Sequence, residues 1–148
     1  MSFFSGLFAN HIFVTAATGW LIAQILKTLI HLYLNRKFVA ERLVGSGGMP
    51  SSHSALVCAM VTVIGFREGF STSIFALAFC FACVTMYDAS GVRRSTGRNA
   101  AVINHMLDDF ATKGLFVDEE RLKELVGHTP IQVLAGALLG VFSGTLLA

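Results

Sequence analysis

Four apolar stretches punctuate the chain, at His11–Leu34, Ser54–Phe66, Ser71–Tyr87 and Pro130–Ala148. A helix needs about 20 residues to cross the hydrocarbon core of a bilayer. The second and third stretches are shorter, and only Arg67-Glu68-Gly69-Phe70 separates them. They predict a helical hairpin whose tip lets Arg67 snorkel to the interface. The fourth stretch carries Gly136, Gly140 and Gly144 at spacing four, a smooth face for close helix contact. The pattern predicts an all-α fold, a four-helix membrane bundle forming a single domain over residues 1–148.

Two polar segments remain, Asn35–His53 and Asp88–Thr129. With four crossings, both connect helix ends on the same side of the membrane. In the longer one, Val102, Ile103, Met106, Leu107 and Phe110 recur at helical spacing. They predict an amphipathic helix from about Gly97 to Phe110. A short second helix is expected from Asp118, a good N-cap, to Val126, with Gly127 closing it. Both helices suit the membrane surface beside the bundle.

Composition strengthens the membrane reading. Of 148 residues, 54% are hydrophobic and 14% charged, where a soluble domain carries roughly 25% charged residues. Mean hydropathy is +0.67. The apolar content excludes disorder. A net charge of +2, with no cations spread along a polar face, excludes a nucleic-acid partner. Thirteen Phe, fourteen Gly and two Pro suit helices packed in lipid. Cys58, Cys80 and Cys83 fall inside apolar runs and read as small buried hydrophobes rather than half of a metal site. Met1–Asn10 lacks the basic region of a secretory signal, so the first apolar stretch is expected to stay as an anchor.

Charge also suggests orientation. The polar segments hold Arg36, Lys37, Arg42, Arg93, Arg94, Arg98, Lys113, Arg121 and Lys123, and the opposite side holds Arg67. The positive-inside rule then places the large loops in the cytoplasm and both termini outside the cell membrane.

Three polar stretches carry chemistry. Gly45-Ser46-Gly47-Gly48-Met49-Pro50-Ser51-Ser52-His53 opens the second apolar helix. Unpaired backbone N–H groups at such a helix start attract anions, phosphate above all. His53 stands where it can protonate a group held there. Asp88-Ala89-Ser90-Gly91-Val92-Arg93-Arg94 follows the third helix and offers forked donors to a phosphate. Asp88, at the membrane end, wants an Arg or a histidine N–H as partner. His128, just before Pro130, opens the last helix at its positive dipole end. Two histidines and an Arg pair suit phosphoryl transfer through a phosphohistidine, one imidazole attacking and the other protonating the departing alcohol. Lys27 lies inside the first apolar stretch with Gln24 and His31 on its helical face, an intramembrane cation and so a functional candidate.

These stretches resemble the type 2 phosphatidic acid phosphatase superfamily of lipid phosphatases and vanadium haloperoxidases. The resemblance is closest to its short divergent branch, described as acid phosphatase/vanadium-dependent haloperoxidase-related. Pro50-Ser51-Ser52-His53 matches the family's P-S-G-H with Ser52 for Gly, and His128 through Gly140 is similar to H-Y-P-x-D-V-L-A-G-x-x-L-G. The family's S-R-x5-H-x3-D is split: Leu122 precedes His128 by six residues, and Gln132 stands where the family has the Asp that orients the nucleophile. The first motif, K-x6-R-P, is imperfect too, since Arg42 lacks a following Pro and Lys37 is only five positions upstream.

The resemblance implies a metal-independent phosphatase of lipid phosphates or diphosphates that needs no cofactor. His128 would be the nucleophile and His53 the acid. Asp88 would replace the missing orienting carboxylate, within about 3.2 Å of a His128 ring nitrogen. Lys27, Arg93, Arg94 and the backbone at Ser51–Ser52 would hold phosphate oxygens. A rival spacing, Arg98, His105 and Asp109, is one residue too long and starts no membrane helix. The other reading is a degenerate site serving lipid-headgroup binding, transport or assembly. The partners expected are a lipid phosphate, the bilayer and, through the glycine face, a second copy of the chain.

Overall fold

The computed structural model describes residues 2–36, 47–114, 121–122, 124 and 127–148, and every regular element among them is a helix. These are α1 (Phe3–Ala9), α2 (His11–Asn35), α3 (Ser52–Glu68), α4 (Ser73–Ser90), α5 (Val92–Thr112) and α6 (Pro130–Leu146). The starts carry the expected chemistry: the Asn10, Ser51, Thr72 and Thr129 side chains each accept a backbone N–H in the first turn of α2, α3, α4 and α6. The hairpin of α3 and α4 forms as expected. At its tip Gly69 takes φ +97°, which favours glycine, and Arg67 reaches the carbonyl of Ala148 at the same end.

Helix α3 is the hub, packing against α2, α4 and α6, while α2 also meets α6. The interior is built from small residues: Ala16, Gly19, Ala23, Ala55, Ala59, Ala78, Ala82, Gly136 and Gly140. Large apolar side chains point outward, among them Leu21, Leu29, Leu77, Phe81, Val84, Leu134, Leu138 and Phe142. A water-soluble protein sorts its residues the other way. Lipid offers helices no hydrophobic reward for burying Leu, so close backbone approach through small residues holds them together. Among the described residues, α2 and the run Ser73–Thr112, which joins α4 and α5, are long and apolar enough to cross a membrane; α6 is apolar but shorter.

The α3–α6 contact shows the approach at its closest. A methyl group on Gly144 would lie 2.9 Å from the Ala59 carbonyl oxygen and 2.7 Å from Thr62 Cβ; one on Gly140 would lie 2.8 Å from Cys58 Cβ. Gly136 meets the Ser51 carbonyl in the same way. No side chain fits between these backbones.

Three expectations need correction. The amphipathic helix begins at Val92 rather than near Gly97, because a single residue, Gly91, interrupts the helical run after Ser90; Arg93 and Arg94 are therefore helical. Only Cys58 is buried: Cys80 and Cys83 are exposed on the outer face of α4, where small apolar thiols suit lipid as well as a core. The short helix expected over Asp118–Val126 falls mostly outside the described residues, and the described positions 121, 122 and 124 are not helical. The sequence pattern also passed over α1, a single seven-residue stretch too short to show periodicity.

Gly140→Ala should lower stability by about 1–3 kcal/mol, the usual cost of overpacking a tight contact. Leu138→Ala, on the outward face, should change it little. Thermal unfolding of the detergent-solubilised protein measures both.

Candidate functional site

The α2 C-terminal half, the starts of α3 and α6 and the α4–α5 junction converge at one end of the bundle. Two backbone hydrogen bonds fasten them. Ser51 N–H donates to the Gln132 carbonyl at 3.0 Å, tying α3 to the first turn of α6. His128 N–H donates to the Ala89 carbonyl at 3.0 Å, tying the approach to α6 to the last turn of α4. Gly127 just before it lies against the Arg93–Arg94 backbone, with no room for a side chain.

These fastenings bring His53 and His128 together, ring centroids 6.1 Å apart and edge to face. His53 is half-buried and His128 is 2% exposed. Lys27 is equally buried, at 2%, and its ammonium acts electrostatically on both histidines. Gly48, with φ +88°, lies across the Lys27 stem: a Cβ there would be 3.0 Å from Lys27 Cδ. The glycines ahead of α3 thus give the loop its left-handed turn and let it close over the lysine. Arg93 and Asp88 also act electrostatically on His53.

Burial pushes His128 below the ordinary histidine pKa of 6.5. The Gln132 side chain and the Gly48 backbone lie close enough to oppose this in part, while His53 and Lys27 reinforce it. Neither ring nitrogen of His128 has a hydrogen-bond partner among the described residues. The imidazole therefore takes up a proton less readily than a free histidine, and both of its ring nitrogens are buried.

Other expected site residues are placed differently. Asp88 does not hydrogen-bond His128; its carboxylate receives the Arg93 Nε–H at 2.6 Å. Ala89, one residue on and buried, is what α4 turns toward the His128 segment, leaving Asp88 beside its i+5 arginine across Gly91. Gln132 is occupied as a cap: its Oε1 accepts from Thr129 N–H at 3.0 Å while its own N–H reaches Thr129 Oγ1. Ser51 is unavailable to a ligand, because its amide is bound to Gln132 and its wholly buried hydroxyl oxygen accepts from Ser54. At the α3 start the N–H groups of Ser52 and His53 have no acceptor among the described residues. Arg94, with Arg98, Glu124 and Gly127, lines a cavity of about 270 Å³. The rival His105 is an exposed partner of Asp109 at 3.9 Å, 81% exposed and outside the cluster. Lys37 and Arg42, of the imperfect first motif, lie outside the described residues.

One residue was passed over as a site candidate. Gln24, one turn before Lys27, is 3% exposed, and its Oε1 has no partner among the described residues. Its spacing from Lys27 was the available signal; His31, on the same face, instead contacts Asn35.

Comparison with known proteins identifies a family. A family model described as "Divergent PAP2 family" matches residues 8–143. An uncharacterized membrane protein, YuiD, of Bacillus subtilis (strain 168) is 37% identical, the alignment covering 96% of each chain. No solved structure matches. A family model spanning nearly the whole chain, and a relative aligned from end to end, establish that this chain belongs to the divergent PAP2 family.

Proposed function

We propose that the protein is a multi-pass membrane phosphatase of lipid phosphates or diphosphates, acting through a phosphohistidine. The observation that supports it most is the pair of imidazoles at the starts of α3 and α6, 6.1 Å apart beside a buried lysine. Two helix starts direct positive dipole ends at one spot, and an anion is what such a spot stabilises. A neutral His128 nitrogen attacks phosphorus as the bond to the lipid oxygen breaks. His53 gives its proton to that oxygen. Water, deprotonated by His53, then attacks phosphorus and frees the His128 nitrogen. Lys27, Arg93 and the N–H groups of Ser52 and His53 stabilise the charge on the transferring group, and such stabilisation contributes most to catalysis of this kind. Asp88 acts through Arg93, holding its guanidinium in place. The cation-rich end faces the cytoplasm and both termini face outward.

A second reading has its own support. With Gln132 capping α6 and no carboxylate bonded to His128, nothing stabilises the imidazolium as a triad acid would. A site of this kind binds a phosphate headgroup and turns it over slowly or not at all, which suits a lipid-binding, transport or assembly protein.

Purified protein should release phosphate from phosphatidate or polyprenyl diphosphate in the presence of a chelator. His128→Ala should abolish release while the thermal midpoint is kept; unchanged turnover would contradict the assignment. Asp88→Asn should cost far less than the roughly 10⁴-fold lost when a triad carboxylate is neutralised, because Asp88 positions an arginine and not the nucleophile.

The lowered pKa of His128 also sets a pH dependence. The folded state binds this proton less readily than the unfolded chain does. Its stability is therefore full above pH 6.5 and declines as pH falls through the folded value. The thermal midpoint should drop on acidification below 6.5, and less steeply in His128→Gln.

A further inference from the structure

The 270 Å³ cavity lies between α5 and the chain ahead of α6, with Arg94, Gly97, Arg98 and Ala101 on one side and Glu124 and Gly127 on the other. The four α5 residues share one helical face, since positions three and four apart are neighbours on a helix. Small residues make the room: Gly97 is buried, and the Arg94 backbone stands where a Gly127 side chain would be. His53, His128, Lys27 and Arg93 do not line this space. A ligand held here therefore does not touch the proposed nucleophile.

The charges around the cavity are not paired with one another. Nearby, Arg93 is bonded to Asp88 and Arg121 to Asp108. Arg94, which is half-buried, and Arg98 make no ion pair or side-chain hydrogen bond among the described residues. Glu124 lines the same space but is fastened elsewhere, because Asn104 Nδ2 donates to its Oε1 at 2.8 Å. Asn104 is itself fixed: it is 4% exposed, and it also bonds Leu122 O and Leu122 N–H, each at 2.9 Å. The carboxylate that could close on the two arginines is thus pinned to a buried amide, and both guanidinium groups keep donors to spare.

We propose that this cavity is a second anion site, in which Arg94 and Arg98 grip the oxygens of a phosphate group. Two positive charges against one carboxylate match a doubly charged phosphate better than a singly charged acid, and planar guanidinium forks fit its oxygens. The volume falls just below the roughly 300 Å³ at which pockets for drug-sized ligands begin, so it suits a small polar group. A free phosphate and the phosphate of a lipid headgroup present the same chemistry here. The site goes beyond the proposed reaction and needs no turnover.

Phenylglyoxal modifies accessible guanidinium groups, and peptide mapping reads each arginine separately. The full detergent-solubilised chain is treated with and without inorganic phosphate, the ionic strength being held constant with chloride. The His128→Ala chain is treated likewise, and also with phosphatidate in mixed micelles. Phosphate should slow modification of Arg94 and Arg98 and leave Arg67, at the far end of the bundle, unchanged. Protection by inorganic phosphate supports a site for the free anion, and protection by phosphatidate alone supports a site for a headgroup. Arg98→Gln should raise the phosphate concentration that half-protects Arg94 by about tenfold or more, through loss of a charge-assisted hydrogen bond. Glu124→Gln keeps the acceptor for Asn104 but removes the charge, and should lower that concentration about two- to fivefold. Equal modification of Arg94 and Arg98 with and without both probes would overturn the inference, as would half-protection at one concentration in all three chains. Protection by inorganic phosphate that vanishes in His128→Ala would also overturn it, because the anion would then belong to the histidine pair.

Discussion

The site depends on the backbones of α3 and α6 touching. Glycine at 136, 140 and 144 removes every side chain that would hold the helices apart, and the carbonyls of Ser51, Ala55 and Ala59 lie against the gap so made. Once the axes are that close, the Ser51 amide reaches the Gln132 carbonyl, and the two helix starts are locked at one level. His53 and His128 owe their 6.1 Å separation to this lock. Dispersion and close packing supply the energy, because a bilayer provides no hydrophobic drive between helices. The same requirement explains why the interior is alanine and glycine and the exterior leucine and phenylalanine.

The chemistry of the site follows from what the lock buries. His128 and Lys27 are both removed from solvent, so protonation of the imidazole is disfavoured, and the ammonium beside it makes a second positive charge there still less favourable. That suits attack on phosphorus. It is less suited to carrying a positive imidazolium afterwards, a task that the wider superfamily gives to a carboxylate. Here the residue in that position closes the first turn of α6, and the nearby acid holds an arginine. On the proposed mechanism, the missing carboxylate would show in the rate at which a phosphohistidine forms.

Much of this was legible in the sequence. Long apolar runs, the Arg67–Phe70 break and the glycine spacing of the last helix mark the helices and their faces, because periodicity and small-residue spacing are local properties. His53, His128 and Lys27 could be picked out as polar residues at the edges of apolar segments or within one. What the sequence hid were competitions between partners. Asp88 had two plausible partners, and only the position of Gly91 gives it to Arg93 rather than to a histidine 40 residues away. Ser51 could offer its amide to a phosphate or to Gln132, and α3–α6 contact decides for the latter. The single-residue break at Gly91, which starts α5 at Val92, also has no signature in hydropathy.

The central claim is that His128 carries the phosphoryl group. Turnover of a radiolabelled lipid phosphate, quenched into alkali and followed by peptide mapping, tests it directly. Label is expected on His128, surviving base and lost in acid. Label on His105, or none on any histidine while phosphate is still released, would contradict it.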